Sequence, residues 1–248
     1  MWTWPVRRRR LADSKPAKGR ARSGRLDPMD RDRIAVDYWD NAYAGGMYAD
    51  VGPDAFVDRI LAVAAPGTSG VEIGCGNGRN LIPLTRAGLD LVGVDPSRTA
   101  LDQLATRAPQ LTLVHGTQED LPPGRRYDLV IGIQVHQHGT RTDARALLRG
   151  SLARVAPGGL FALRTASADT EAVEAHELLD AGADGGRTFR YLAGFKAGLT
   201  VHYYGRRELE ALLRDFEPVL PLRAEHTERR DPPPGVWAHW ETIVRRPV

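Results

Sequence analysis

Between residues 71 and 164 the chain alternates short apolar runs with amphipathic stretches, and few folds accept that rhythm. Runs at 71–73, 91–94, 111–114, 128–133 and 160–164 read as strands. Helices are expected between them: at 79–86, ended by Gly88; from the Pro96-Ser97 pair onward, with Leu101 and Leu104 on one face; and at 142–155, ahead of Gly158-Gly159. Strands separated by helices are joined by right-handed crossovers, which predicts a parallel sheet covered on both faces, a doubly wound α/β fold. The near-continuous apolar run at 128–133 suits a central strand buried on both sides.

Outside this core the pattern predicts helices at 31–44 and 54–64, and after residue 164 a helix at 171–181. A Gly-rich stretch and an aromatic cluster follow (Phe189, Tyr191, Phe195, Tyr203, Tyr204), then a helix at 206–213 and strands near 219–224 and 237–244. Residues 29–248 are read as one domain, with 167–205 an insertion that forms a substrate lid. Trp237 and Trp240 lie three apart on a strand, hence on opposite faces, and are read as packing.

The net charge of +3 is unevenly spread. Residues 1–28 hold nine basic and two acidic residues; the rest holds 25 basic and 29 acidic, a net of −4. The first stretch is expected to be a disordered basic tail. The acidic body argues against a nucleic-acid partner. No apolar run approaches the roughly 20 residues that cross a bilayer, and with Cys75 as its one cysteine the chain forms no internal disulfide. A cytoplasmic location is the expectation.

The stretch richest in chemistry is Val71-Glu72-Ile73-Gly74-Cys75-Gly76-Asn77-Gly78-Arg79-Asn80, directly after a strand and opening a helix. Three glycines in five residues let the main chain approach a ligand closely. The spacing is G-x-G-x-G; the dinucleotide fingerprint would place glycine where Arg79 stands, and a P-loop would need Gly-Lys-Ser/Thr. Glu72 would repel a pyrophosphate but suits a cationic ligand. Asp95, at the tip of the next strand, can accept hydrogen bonds from both hydroxyls of a ribose. As a simpler alternative it caps the following helix.

At these residues the sequence resembles the class I S-adenosylmethionine-dependent methyltransferases. VEIGCGNGRN is similar to their first motif, LVGVDPS to their second-strand motif, and GTQEDLP, RYDLVIGIQ and VAPGGLFAL to the later ones. The resemblance implies a seven-stranded, mostly parallel sheet with a C-terminal antiparallel hairpin, the sixth and seventh strands exchanged in order. It implies S-adenosylmethionine as cofactor, with Gly74, Gly76 and Gly78 along its methionine and ribose face, Glu72 near its amino group, Asp95 at its ribose hydroxyls, Thr117 and Gln118 at its adenine and Gln134 near the transferable methyl; Cys75, Asn80 and Pro96 are further cofactor-binding candidates. The family usually carries an acidic residue where Thr117 stands.

Methyl transfer from a sulfonium needs alignment above all, and sometimes a base. His136 and His138, in the loop after the fourth strand, are the candidate bases; capping or backbone hydrogen bonding is the alternative. No metal is expected. Tyr38, Trp39, Tyr43 and Tyr48 are placed to close over the cofactor, and the segment 195–204, with His202, is the candidate lid. No Asn/Asp-Pro-Pro-Tyr/Phe or Pro-Cys follows the fourth strand, which argues against amide, base-nitrogen and cytosine C5 methylation. The reading is transfer to an oxygen or nitrogen of a small molecule, such as a specialised metabolite. A protein or peptide methyltransferase, a non-catalytic cofactor-binding module and a nicotinamide oxidoreductase are the alternatives.

Overall fold

The computed structural model describes residues 28–229 and 234–248, with side chains from Ile34 onward; the basic stretch, Pro28 apart, lies outside the described residues. Helices α1 (Pro28–Ala44) and α2 (Phe56–Leu61) precede the alternating core. That core comprises β1 (Ser69–Ile73), α3 (Leu81–Arg86), β2 (Asp90–Asp95), α4 (Arg98–Arg107), β3 (Thr112–His115), β4 (Tyr127–Ile133), α5 (Arg141–Ala153) and β5 (Val155–Ala166). Then come β6 (His176–Ala181), β7 (Arg187–Tyr191), β8 (Thr200–Tyr203), α6 (Arg206–Leu213), β9 (Glu217–Arg229) and β10 (Gly235–Arg245).

The large sheet has the order β3-β2-β1-β4-β5-β10-β9. Its first five strands are parallel, whereas β10 runs antiparallel to both β5 and β9. This is the architecture that the motifs imply, including the exchanged last strands. Alternation along β4 explains the two cores: Leu129, Ile131 and Ile133 pack with α2, α3 and α4 on one face, and Val130 with α5 and α6 on the other. Helix starts follow local chemistry. Ser97 Oγ accepts the Ala100 amide at the head of α4, and Thr140 and Asp143 close a capping box on α5.

The expected helix at 171–181 is a correction. Residues 171–175 carry no helix or strand, and 176–181 form β6, an exposed edge of a separate antiparallel sheet, β6-β7-β8. Ala, Glu and Leu in this stretch favour a helix, but pairing of His176 with Tyr191 through Ala181 with Arg187 overrides that preference. The small sheet has its own apolar cluster around Phe189, Tyr191, Leu199, Val201 and Tyr203. It grips the loop after β4: Gly139 N–H donates to Thr200 O (2.9 Å), His202 N–H donates to Gln137 O (2.8 Å), and His138 bridges to Val201.

Candidate active site

The loop after β1 is bent by three left-handed residues, Gly74 (φ 69°), Gly76 (φ 53°) and Gly78 (φ 82°). Two of them answer to packing. A Cβ on Gly74 would fall 2.6 Å from the Val135 side chain, and one on Gly78 would run into Leu104. Gly76 is different: there a Cβ would collide with the Tyr43 hydroxyl, which α1 lays against the loop.

Asp95 is buried and its carboxylate ties two turns together, accepting the Gly76 N–H at Oδ2 (2.8 Å) and the Ser97 N–H at Oδ1 (2.8 Å). Burial raises its pKa while these bonds oppose the rise. Glu72 is also buried, and its Oε2 has no hydrogen-bond partner. Burial pushes its pKa up to about 8, against the pull of a hydrogen bond with Asn80 and the charge of Arg79. Asn80 in turn accepts the Asp54 N–H (2.9 Å).

A cleft of about 130 Å³ runs along this loop, lined by Gly74, Cys75, Asn80, Asp95, Pro96 and Gln134 and covered by Trp39, Tyr43 and Tyr48. Gln134 sits at the tip of β4 with φ 58°, a conformation that costs a side-chain-bearing residue of order 1–3 kcal/mol and that recurs at functional sites. Thr117 and Gln118 lie elsewhere, on a cavity of about 410 Å³ bounded by Ile34, Ala35, His138 and α5. The Gln118 side chain turns away into α5, where its Oε1 accepts the Ser151 hydroxyl (2.6 Å), and the Thr117 N–H donates to Asp120 (2.7 Å).

The two loop histidines part company. His136 is fully buried against Phe161 (ring centroids 5.6 Å apart), with Nε2 2.8 Å from Ser151 Oγ, and it lines none of the cavities at this loop. Burial drives its pKa down to about 3. The arrangement is that of a packed core histidine. His138 lines all three cavities at the loop, meets Trp39 edge-on (5.4 Å), and has a buried Nδ1 without a partner. Burial, then Lys196, lowers its pKa to about 4, so it is a neutral imidazole at physiological pH.

The third of these cavities, about 540 Å³, lies between the small sheet and β10. It shares Trp39, Tyr48, Arg79, Gln134, Gln137 and His138 with the cleft, so the two meet along one wall. Phe195, Lys196, Leu199, Val201 and Tyr203 of the expected lid line it. His202 is turned the other way, with Nδ1 2.9 Å from Thr188 Oγ1 and Nε2 3.1 Å from Glu208. Sequence reasoning missed Gln137, Glu174, Arg229, Trp237 and His239, all on the cavity wall. The reading of Trp237 as packing is corrected: alternation puts it on the same face of β10 as His239, and the small sheet leaves that face open. Trp240, on the other face, is core and donates its indole N–H to Tyr204 O (2.7 Å).

A family model described as a methyltransferase domain matches residues 47–217, more than half of the chain. Among curated relatives, an uncharacterized methyltransferase of Synechocystis sp. is 35% identical over 105 residues, covering 42% of this chain and 49% of that protein. A ubiquinone biosynthesis O-methyltransferase of Rhodopseudomonas palustris is 37% identical over 99 residues, 38% of each. The chain thus spans less than half the length of these relatives. Among solved structures, Burkholderia thailandensis 1,6-didemethyltoxoflavin-N1-methyltransferase, with 1,6-didemethyltoxoflavin and S-adenosylhomocysteine bound, is similar at TM-score 0.63 and 17% identity, over 92% of this chain and 94% of that one. The magnesium protoporphyrin IX methyltransferase of Synechocystis PCC 6803, with S-adenosylhomocysteine bound, is similar at TM-score 0.61 and 18% identity, over 87% and 99%. By its sequence match and by its strand order, the chain belongs to the methyltransferase-domain family and has the fold of the class I S-adenosylmethionine-dependent enzymes.

Proposed function

We propose that this methyltransferase moves a methyl group from S-adenosylmethionine to an oxygen or nitrogen of a small-molecule acceptor held in the 540 Å³ cavity. The observation that carries the reading is the shared wall: a cleft at the glycine loop meets an aromatic cavity of small-ligand size along His138 and Gln134.

The residues at the loop fit the donor. The carboxylate of Asp95, on the cleft wall, has lone pairs beyond the two that Gly76 and Ser97 use, free for ribose hydroxyls, whereas the buried Glu72 lines none of the cavities and supports the loop through Asn80. When bound, the donor supplies a methyl group already activated on a sulfonium. The chain aligns the acceptor against it and excludes water with the aromatic residues of α1, while the neutral His138 imidazole accepts a hydrogen bond from the acceptor's hydroxyl or amine and so orients its lone pair. The cleft of 130 Å³ is below the roughly 300 Å³ of small-ligand sites, and the missing room is where Tyr43 rests on Gly76. Donor entry therefore displaces the Tyr43 ring.

Incubating the protein with isotopically labelled S-adenosylmethionine and a host extract, followed by untargeted mass spectrometry, should reveal a labelled small molecule. Calorimetric preference for NADH over S-adenosylhomocysteine would overturn the reading.

A further inference from the structure

Lys196 stands in the acceptor cavity but not in the cofactor cleft. Whatever it binds is therefore a part of the acceptor away from the reacting atom. Its ammonium lies over three rings, 4.4 Å from the centroid of Trp237, 5.1 Å from Tyr191 and 5.5 Å from Tyr203. The Tyr191 and Tyr203 hydroxyls are hydrogen-bonded to each other, and Lys196 Nζ donates to Tyr203 Oη (2.9 Å). An ammonium has three protons; among the described residues the other two have no acceptor. After Lys18 it is the only lysine in a chain with 31 arginines, and a ring cage of this size suits a compact charge better than a planar fork.

The surroundings are cationic. Arg229 lies over the Trp237 ring (5.1 Å), and among the described residues Glu174 is the one carboxylate on the wall. Arg79 is paired with Asp54 (3.5 Å). The wall histidines His138 and His239 are neutral, held by burial at pKa values of about 4 and about 3. Flat rings from Trp39, Tyr48, Phe195 and Trp237 complete the wall.

We propose that the cavity selects a planar aromatic acceptor bearing a carboxylate, which docks on Lys196 and leaves the hydroxyl or amine of the acceptor at His138. The inference rests on the acceptor reading of the cavity given above. Burial lowers the Lys196 pKa to about 8, with Glu174 opposing and Arg229 adding to the fall. Carboxylate binding should therefore weaken as pH rises through and above that value, since the ammonium is lost.

The test titrates 3,4-dihydroxybenzoate and catechol into the protein saturated with S-adenosylhomocysteine, for wild type, Lys196→Met and Lys196→Arg. In the wild type the benzoate should bind at least about tenfold tighter than catechol, a difference of about 1.4 kcal/mol. The preference should vanish in Lys196→Met and return in part in Lys196→Arg. Between about pH 7 and about pH 9.5 it should fade in the wild type yet persist in Lys196→Arg, whose guanidinium keeps its charge. Equal binding of both probes, binding of neither, or a preference that survives in Lys196→Met overturns the proposal. S-adenosylhomocysteine titration of each variant monitors the cleft: its failure in the wild type removes the functional reading as well, whereas cofactor binding without carboxylate preference removes this inference alone.

Discussion

Gly76 is where the geometry is least forgiving. A side chain there meets both a left-handed φ and the Tyr43 hydroxyl, so Gly76→Ala should lower stability by about 1–3 kcal/mol in denaturant unfolding and abolish calorimetric binding of S-adenosylhomocysteine. Asp95→Asn keeps the shape but removes the charge from a carboxylate that already anchors two amides, and should weaken cofactor binding by about 1–3 kcal/mol. The two histidines separate cleanly: His138→Ala should lower kcat by roughly tenfold or more, through loss of acceptor alignment, with cofactor affinity unchanged. His136→Ala should instead lower the Tm, because it strips the Ser151–Gln118 network of a partner, and leave kcat intact. Both histidines were legible as residues of the right loop. Which one faces the cleft was not, because that depends on where Phe161 and Ser151 stand after folding.

Among elements, α1 carries the cover of the cleft. Asp40 accepts the Ser97 hydroxyl (2.6 Å) and the Thr99 N–H (3.1 Å), which docks the helix on the head of α4 and aims Trp39 and Tyr43 at the glycine loop. Tyr43→Ala should speed association of S-adenosylhomocysteine in stopped flow, within the roughly 1–3 decades over which related complexes vary. The helix itself was readable from the spacing of Ile34 and Trp39, and the aromatic cover from its tyrosines. The strand β6 was not: its helix-favouring residues become a strand only because β7 lies beside them, and no local signal encodes that neighbour.

Across the whole molecule, buried ionisable groups set opposing pH slopes. His136, His138 and His239 have folded pKa values near 3, 4 and 3 against an ordinary 6.5, so the stability that they support is full above that value and is lost as pH falls below it. Glu72 works in the other sense: raised from 4.5 to about 8, it costs stability as pH climbs across that interval. Thermal unfolding of Glu72→Gln should gain on the wild type at pH 8 relative to pH 5, and a parallel pH response of the two would refute the assignment. At this scale the sequence was most informative: the strand-helix rhythm predicted a parallel, doubly wound sheet, and the motif resemblance implied the exchanged last strands, both found in the order β3-β2-β1-β4-β5-β10-β9. The meeting of cleft and cavity was hidden, because residues from α1, β8 and β10 converge there from distant parts of the chain.

The backbone bonds from Thr200 and His202 to the 137–139 segment make the small sheet a splint for the loop that carries His138. Adapting the cavity to a new ligand by redesigning β8 would therefore also disturb the His138 imidazole. Changes on β10, at Trp237 or His239, reach the same cavity without pulling on that splint. Acceptor preference and turnover should consequently be tunable apart from one side of the cavity and inseparable from the other.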